Sequence, residues 1–309
     1  MKLNTEVDIP EYVFEINHHQ KLLSVGSCFS ENIGSKLAED GISIKINPFG
    51  ILFNPCSIRN SLSNEFDFSE QHVVKKGNQY VHLDAHSIIN GSTPDELITN
   101  LKHLHKATSE SLNEVQQLII TFGTAWVFKR IETGRIVANC HKQHGNEFEK
   151  QLMDVNQELN DWRKLINQML VNNPSLKIIL TVSPVRHSKN GLWQNNVSKG
   201  LLHQLVHQLV KEFEAVNYFP AYEIVMDELR DYRFFDRDML HPSEIAISYI
   251  YNKFSSALFS QKTQELSKLQ RKIKSAKEHR FMQPSTEEIA RHEQYVLNLE
   301  KEFKAKLNA

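Results

Sequence analysis

Two groups of residues in this chain are of types that could do covalent chemistry. The first is Gly26-Ser27-Cys28-Phe29-Ser30, which follows the largely apolar run Lys21-Leu22-Leu23-Ser24-Val25 and leads into a helix-like stretch, Ser30 to Asp40. A buried strand that ends in glycine and turns into a helix lifts a side chain out of the carboxyl edge of a sheet. It also aims helix N-terminal amides at that side chain. Cys28 is the stronger nucleophile, because a useful thiolate fraction exists near neutral pH. Ser27 would need a base within hydrogen-bond reach. The same pentapeptide also reads as a plain tight turn, with Ser27 capping the helix and Cys28 a small buried apolar residue. The second group is Asp238-Met239-Leu240-His241-Pro242. An acid three residues before a histidine can hold the imidazole by Nδ1 and leave the other nitrogen for a nucleophile. Together the two groups point to a triad-type hydrolase or acyltransferase.

Other polar clusters follow apolar runs. Leu118–Phe122 ends in Gly123-Thr124-Ala125-Trp126, and Asn47-Pro48-Phe49-Gly50 forms another glycine-bearing loop. Amides at Gly50 and Gly123, or the Thr124 hydroxyl, are candidate oxyanion donors, although ordinary turn chemistry explains them equally well. Asn139-Cys140-His141-x-x-His144 has a spacing that matches no common closed zinc set, so no metal is expected. Arg186 and His187, in Ser183-Pro184-Val185-Arg186-His187, should reach the same sheet edge, where an arginine suits a substrate carboxylate or other anion.

The elements that must position these groups are legible as alternation. Buried strands are expected at Leu22–Val25, Leu118–Phe122 and Ile178–Val182, with an edge strand at Ile42–Ile46 and an irregular one within Val216–Met226. Helical patterns cover Ser30–Asp40, Pro94–Leu112, Asn156–Val171, Val197–Phe213 and Ser243–Leu258. This predicts a three-layer α/β domain with a mostly parallel sheet over residues 1–260. Residues 261–309 lack glycine and carry apolar stripes at helical spacing, which reads as a helical hairpin, with Pro284 between its halves, packed on the domain or on a second subunit.

Composition sets outer limits. The 309 residues are 40% hydrophobic and 24% charged with a formal net charge of −1, which gives no electrostatic case for nucleic acid or an anionic membrane. Three cysteines without a CxxC suit a reducing compartment. Residues 1–20 lack the basic start and apolar core of a signal peptide, and no apolar run is long enough for a membrane span. A cytoplasmic location is the expectation.

The ordered stretches Gly26-Ser27-Cys28-Phe29, Asn47-Pro48-Phe49-Gly50-Ile51-Leu52, Phe122-Gly123-Thr124-Ala125-Trp126, Asn139-Cys140-His141-Lys142, Ser183-Pro184-Val185-Arg186-His187, Tyr218-Phe219-Pro220-Ala221-Tyr222-Glu223 and Asp238-Met239-Leu240-His241-Pro242 resemble the GSCFA-domain proteins. Ser30 stands where the eponymous motif has alanine, and the C-terminal hairpin lies outside the resemblance. That family is grouped with the SGNH (GDSL-like) hydrolases, which implies a flavodoxin-like sheet and an ester-cleaving site without a cofactor. Laid on the superfamily's Gly-Asp-Ser turn, Cys28 takes the nucleophile's place and Ser27 the acid's. Asp238 and His241 match the Asp-x-x-His block, and Gly50 and Gly123 the oxyanion glycine blocks. The superfamily's Gly-x-Asn-Asp has no asparagine here, so one oxyanion donor is either missing or supplied from elsewhere, by Asn139 or His187; His141 is a further oxyanion or substrate-binding candidate. A small-molecule or carbohydrate ester, such as an acetylated sugar, is the implied substrate class. The competing reading is a non-catalytic carbohydrate- or peptide-binding protein, in which Trp126, Trp193 and Tyr222 stack on the ligand. A third is a redox-sensing thiol at Cys28.

Overall fold

Short apolar runs bounded by glycine or polar residues become the central strands. β1 (Lys21–Gly26), β2 (Ser43–Ile46), β3 (Gln117–Phe122), β4 (Lys177–Val182) and β5 (Val216–Tyr218) pair in parallel in the spatial order β2-β1-β3-β4-β5. The computed structural model describes residues 5–282 and 285–308. β3 is buried along its whole length, as a central parallel strand must be when helices cover both faces. The strand order is the doubly wound, flavodoxin-like one. Its switch point lies between β1 and β3, so the crevice where ligands bind opens beyond their carboxyl ends.

Side-chain alternation divides the core into two layers. Leu22, Ile119 and Ile179 face α1 (Cys28–Glu39) and α6 (Glu244–Leu258). Leu23, Val25, Leu118, Ile120, Ile178 and Leu180 face α2 (Pro55–Leu62), α3 (Pro94–Glu114), α4 (Val155–Asn172) and α5 (Leu192–Glu212). Each such fully buried aliphatic side chain contributes about 1.5–3 kcal/mol. The α/β expectation therefore holds, with some local differences. α1 begins at Cys28 rather than Ser30, and α5 five residues before the predicted Val197. The strand expected within 216–226 stops at Tyr218. Pro220 has no N–H for a ladder, and the chain turns into a short helix and a π-helical turn ending at Leu229. Two small antiparallel sheets, Val73–Lys76 with Gln79–His82 and Asn90–Gly91, and Trp126–Arg130 with Ile136–Val137 and Phe148–Leu152, had no clear signal. Their strands are short and mostly half-exposed, so they lack the apolar runs by which the central strands are read.

Beyond the sheet, α7 (Gln261–Lys277) and α8 (Thr286–Asn308) form an antiparallel pair. α7 buries Leu266, Leu269 and Ile273 and ties to α1 through Arg271–Asp40 (3.2 Å) and Lys274–Glu39 (2.8 Å). α8 meets α7 through Lys277–Glu300 (2.6 Å). Pro284 lies outside the described residues. Among the described residues, no helix is long and apolar enough to cross a membrane.

Candidate active site

The turn that carries Ser27 and Cys28 is set by one glycine. Gly26 has φ +134°, and a Cβ there would sit 2.2 Å from the Thr121 carbonyl oxygen. Only glycine lets β1 stay paired with β3 while the chain turns upward. The turn is then stitched down. Gly26 N–H donates to Asn47 Oδ1 (2.9 Å), Leu52 N–H to Gly26 O (2.9 Å) and Ser27 N–H to Thr121 O (3.1 Å). Ser27 occupies the N-cap position in an extended conformation, yet its side chain makes no capping bond, and its Oγ is buried without a partner. Cys28 is the first helical residue and half-buried, so it is reachable where Ser27 is sealed. Burial pushes the Cys28 thiol above its ordinary value. The Phe29 and Cys28 amides and the Lys199 charge pull it back only in part, and Glu31 pushes it up again.

The Asp238–His241 pair forms as the spacing requires. His241 Nδ1 donates to Asp238 Oδ2 at 2.6 Å, and Asp238 Oδ1 accepts the Leu240 and His241 N–H groups at 2.9 and 3.0 Å. The two backbone bonds, then the imidazole, hold the Asp238 carboxyl down to about 2. Both side chains are half exposed. The loop joins the sheet edge through Arg186 N–H, which donates to Leu240 O at 3.1 Å. Met239, between the pair, sits at φ +58°. Among the described residues no hydrogen bond links His241 to Cys28 or Ser27.

The expected oxyanion donors are otherwise engaged. Gly50 N–H is spent on Asn47 O (2.8 Å), and Gly123 N–H on Phe53 O (2.7 Å), which also accepts Thr124 N–H (3.0 Å). The Thr124 hydroxyl pairs with Ser198 Oγ (3.1 Å) and accepts Trp126 N–H (3.1 Å). These glycines serve close packing instead: a Cβ on Gly50 would lie 2.3 Å from His86 Cβ, and one on Gly123 would lie 3.0 Å from Phe53 O and 3.2 Å from Ser27 Cβ. Asn139 and His141 are drawn to a different neighbourhood. Asn139 Oδ1 accepts His141 N–H (2.8 Å), Asn139 N–H donates to Leu83 O (2.9 Å), and the buried His141 ring donates through Nε2 to His82 O (2.8 Å). His187 is the expected residue that does reach the crevice. Its Nε2 is buried, has no partner, and lies 3.5 Å from where a Gly123 Cβ would be. Burial first, then the Lys199 and His241 charges, lowers its imidazole to about 4, so it is neutral at pH 7.

A model of the GSCFA family matches residues 21–254. The chain belongs to that family. No curated protein matches it. Among solved structures it is similar to a Clostridium thermocellum family 3 carbohydrate esterase, at 15% identity and a TM-score of 0.33, over 77% of this chain and 94% of that one. It is also similar to an acetyl xylan esterase from the rumen bacterium Butyrivibrio proteoclasticus, at 11% identity and a TM-score of 0.35, over 82% and 64% of the two chains.

In this GSCFA chain three residues beside the candidate site, Asn195, Ser198 and Lys199, carried no sequence motif. Lys199, on α5, is fully buried and donates to Gly123 O (2.7 Å) and Ser183 O (2.6 Å), tying together the loops that leave β3 and β4. Its ammonium also lies 5.8 Å from the Tyr222 ring centroid, which gives the family stretch Tyr218–Glu223 a place at the site. Burial first, then Arg186, draws Lys199 down to about 7, against an upward pull from Cys28. Asn195 and Ser198 complete a polar stripe on the buried side of α5: Asn195 Oδ1 accepts His187 N–H (2.9 Å) and Ser198 Oγ accepts Ala125 N–H (2.7 Å). The one signal in sequence was this interruption of an otherwise apolar helix face by Asn195, Ser198 and Lys199.

Proposed function

We propose that this GSCFA protein cleaves an ester of a small molecule or carbohydrate through a thioester on Cys28. The observation that carries the reading is the placing of Cys28 at the N-terminus of α1, above the switch point, with the Asp238–His241 pair tied to the same sheet edge through Leu240 and Arg186. Asp238 holds Nδ1–H, which leaves Nε2 of His241 as the acceptor for the thiol proton. The thiolate sulfur adds to the ester carbonyl, the alcohol leaves with the proton from Nε2, and Cys28 holds the acyl group. A water deprotonated by His241 then attacks the thioester, releasing the carboxylic acid and restoring the thiol. The Cys28 N–H at the helix start and the unpartnered His187 Nε2 replace the engaged Gly50 and Gly123 amides as oxyanion donors. An acetylated sugar is the favoured substrate, by the likeness of the family to SGNH hydrolases; transfer to an acceptor other than water would use the same first step.

Binding without turnover has one observation on its side, the raised Cys28 thiol with, among the described residues, no imidazole hydrogen-bonded to it. Turnover of 4-nitrophenyl acetate and of acetylated sugars separates the two readings. Cys28→Ala is expected to abolish turnover in a folded protein, with loss of the acyl-enzyme mass seen in the wild type. Undiminished turnover in Cys28→Ala, or none in the wild type on either substrate class, overturns the proposal.

A further inference from the structure

A cleft of about 530 Å³ opens beside the Asp238–His241 pair. Arg186, Met226, Arg230, Tyr232, Phe235 and Met239 are among the residues that line it. Arg186 N–H holds Leu240 O, and Met239 and Leu240 lie between Asp238 and His241, so the cleft and the pair share a wall. The cleft is larger than water needs and falls within the range of ordinary small-ligand pockets.

Its charge is uncompensated. Among the described residues, neither Arg186 nor Arg230 has a carboxylate partner. Arg186 Nη1 points at Met226 Sδ (3.3 Å), a weak acceptor, and its Nε is buried with no partner at all. Asp231, the acid on the cleft wall, is taken by Arg233: its Oδ2 lies 3.3 Å from Nη2, and its Oδ1 accepts Arg233 N–H at 2.9 Å. A buried guanidinium N–H without an acceptor is costly to keep. Two residues on the rim also hold the left-handed backbone that side chains other than glycine avoid: Arg230 at φ +40° and Met239 at φ +58°. Such strain concentrates at ligand clamps.

We infer that this cleft is an anion subsite, in which Arg186 and Arg230 take a carboxylate carried by the ester substrate while Met226 and Phe235 cover its carbon skeleton. The inference rests on the ester reading only for the molecule that carries the carboxylate; the cleft's preference for a carboxylate stands or falls by binding alone. A guanidinium offers a carboxylate paired N–H donors in a matching fork. The carboxylate belongs either to the acyl group, as in a half-ester of a dicarboxylic acid, or to the alcohol, as in an acidic sugar. The chemistry of recognition is the same in both cases.

Calorimetry on the full chain with two matched pairs of probes tests this without requiring turnover. Glucuronate against glucose reads the alcohol side, and monomethyl succinate against methyl butyrate the acyl side. One charged probe is expected to bind at least about tenfold more tightly than its neutral partner, and that preference should fall about tenfold in Arg186→Gln and in Arg230→Gln. The pair that shows the preference names the carboxylate's source. Equal binding within both pairs overturns the inference, as does a preference that survives both substitutions. Arg230 is exposed, so Arg230→Gln keeps the test decisive if Arg186→Gln fails to fold. The two proposals fail separately. No carboxylate preference in the wild type with 4-nitrophenyl acetate turnover intact sinks only the subsite, and a clear preference with no turnover of any ester sinks only the hydrolase.

Discussion

The two halves of the site are built in opposite ways. On the Cys28 side, hydrogen bonds are made within the protein: Gly26, Ser27, Leu52, Gly123 and Thr124 spend their amides on neighbouring backbone or on Asn47, and Lys199 fastens two loops from within. On the His241 side the acid–base pair is half exposed, sits on a loop with a left-handed Met239, and borders an open cleft. Cys28 stands on a hydrogen-bonded platform, and His241 on a half-exposed rim. Among the described residues no hydrogen bond joins Cys28 to His241, and a loop carrying exposed side chains can move at far less cost than a strand end locked on both sides. General bases often close on their nucleophiles only when substrate is present.

The contrast can be broken first at His241. His241→Ala should lower kcat/KM by about 10²–10⁴ while leaving the melting midpoint nearly unchanged, since the ring is half exposed. A large fall in the midpoint would show that the rim is structural after all. Gly26→Ala attacks the platform and should do the reverse, costing about 3 kcal/mol or more of stability in urea unfolding, because a methyl group would stand 2.2 Å from the Thr121 carbonyl oxygen. A wild-type urea midpoint in Gly26→Ala would mean that the turn is not locked.

Lys199 sharpens the comparison through pH. Its folded pKa of about 7 lies below the ordinary 10.5, so between those values the unfolded chain binds more protons than the native one, and stability rises with pH across that window. Lys199→Met should flatten that rise. Near pH 7 its effect on stability should be small, because removing a buried cation offsets two carbonyls left without a donor. The Cys28 thiol ionises above its ordinary value, where Lys199 is already neutral, so Lys199→Met should leave the pH profile of Cys28 alkylation by iodoacetamide nearly unchanged. A profile moved to higher pH would show that Lys199 is still charged where the Cys28 thiol ionises. The smallest effect is expected at Ser27. Its hydroxyl is buried and unpartnered, so Ser27→Ala should keep turnover and change stability by less than about 1 kcal/mol. Lost turnover there, with Cys28→Ala active, would exchange the roles of the two residues.

Much of the architecture was legible in the residues. The runs at Leu22–Val25, Leu118–Phe122 and Ile178–Val182 became β1, β3 and β4 because apolar stretches of that length have few ways to be buried. The Asp238–His241 contact was legible for a similar reason: it is local, and three residues of loop suffice to close it. The small antiparallel sheets were not legible, nor was the start of α5, since mixed polar segments take their structure from what they pack against.

The sequence by itself determined the strand–helix alternation, the family, and the two chemical blocks, since each is written in neighbouring residues. Only the tertiary structure decided which candidates share a crevice. It brought Lys199 from the middle of a helix under Gly123 and Ser183, spent the Gly50 and Gly123 amides on carbonyls, and sent Asn139 and His141 to His82 and Leu83. The physical reason is that a hydrogen bond is settled by whichever partner folding brings within about 3 Å. For an amide at a strand end, that partner comes from a distant loop.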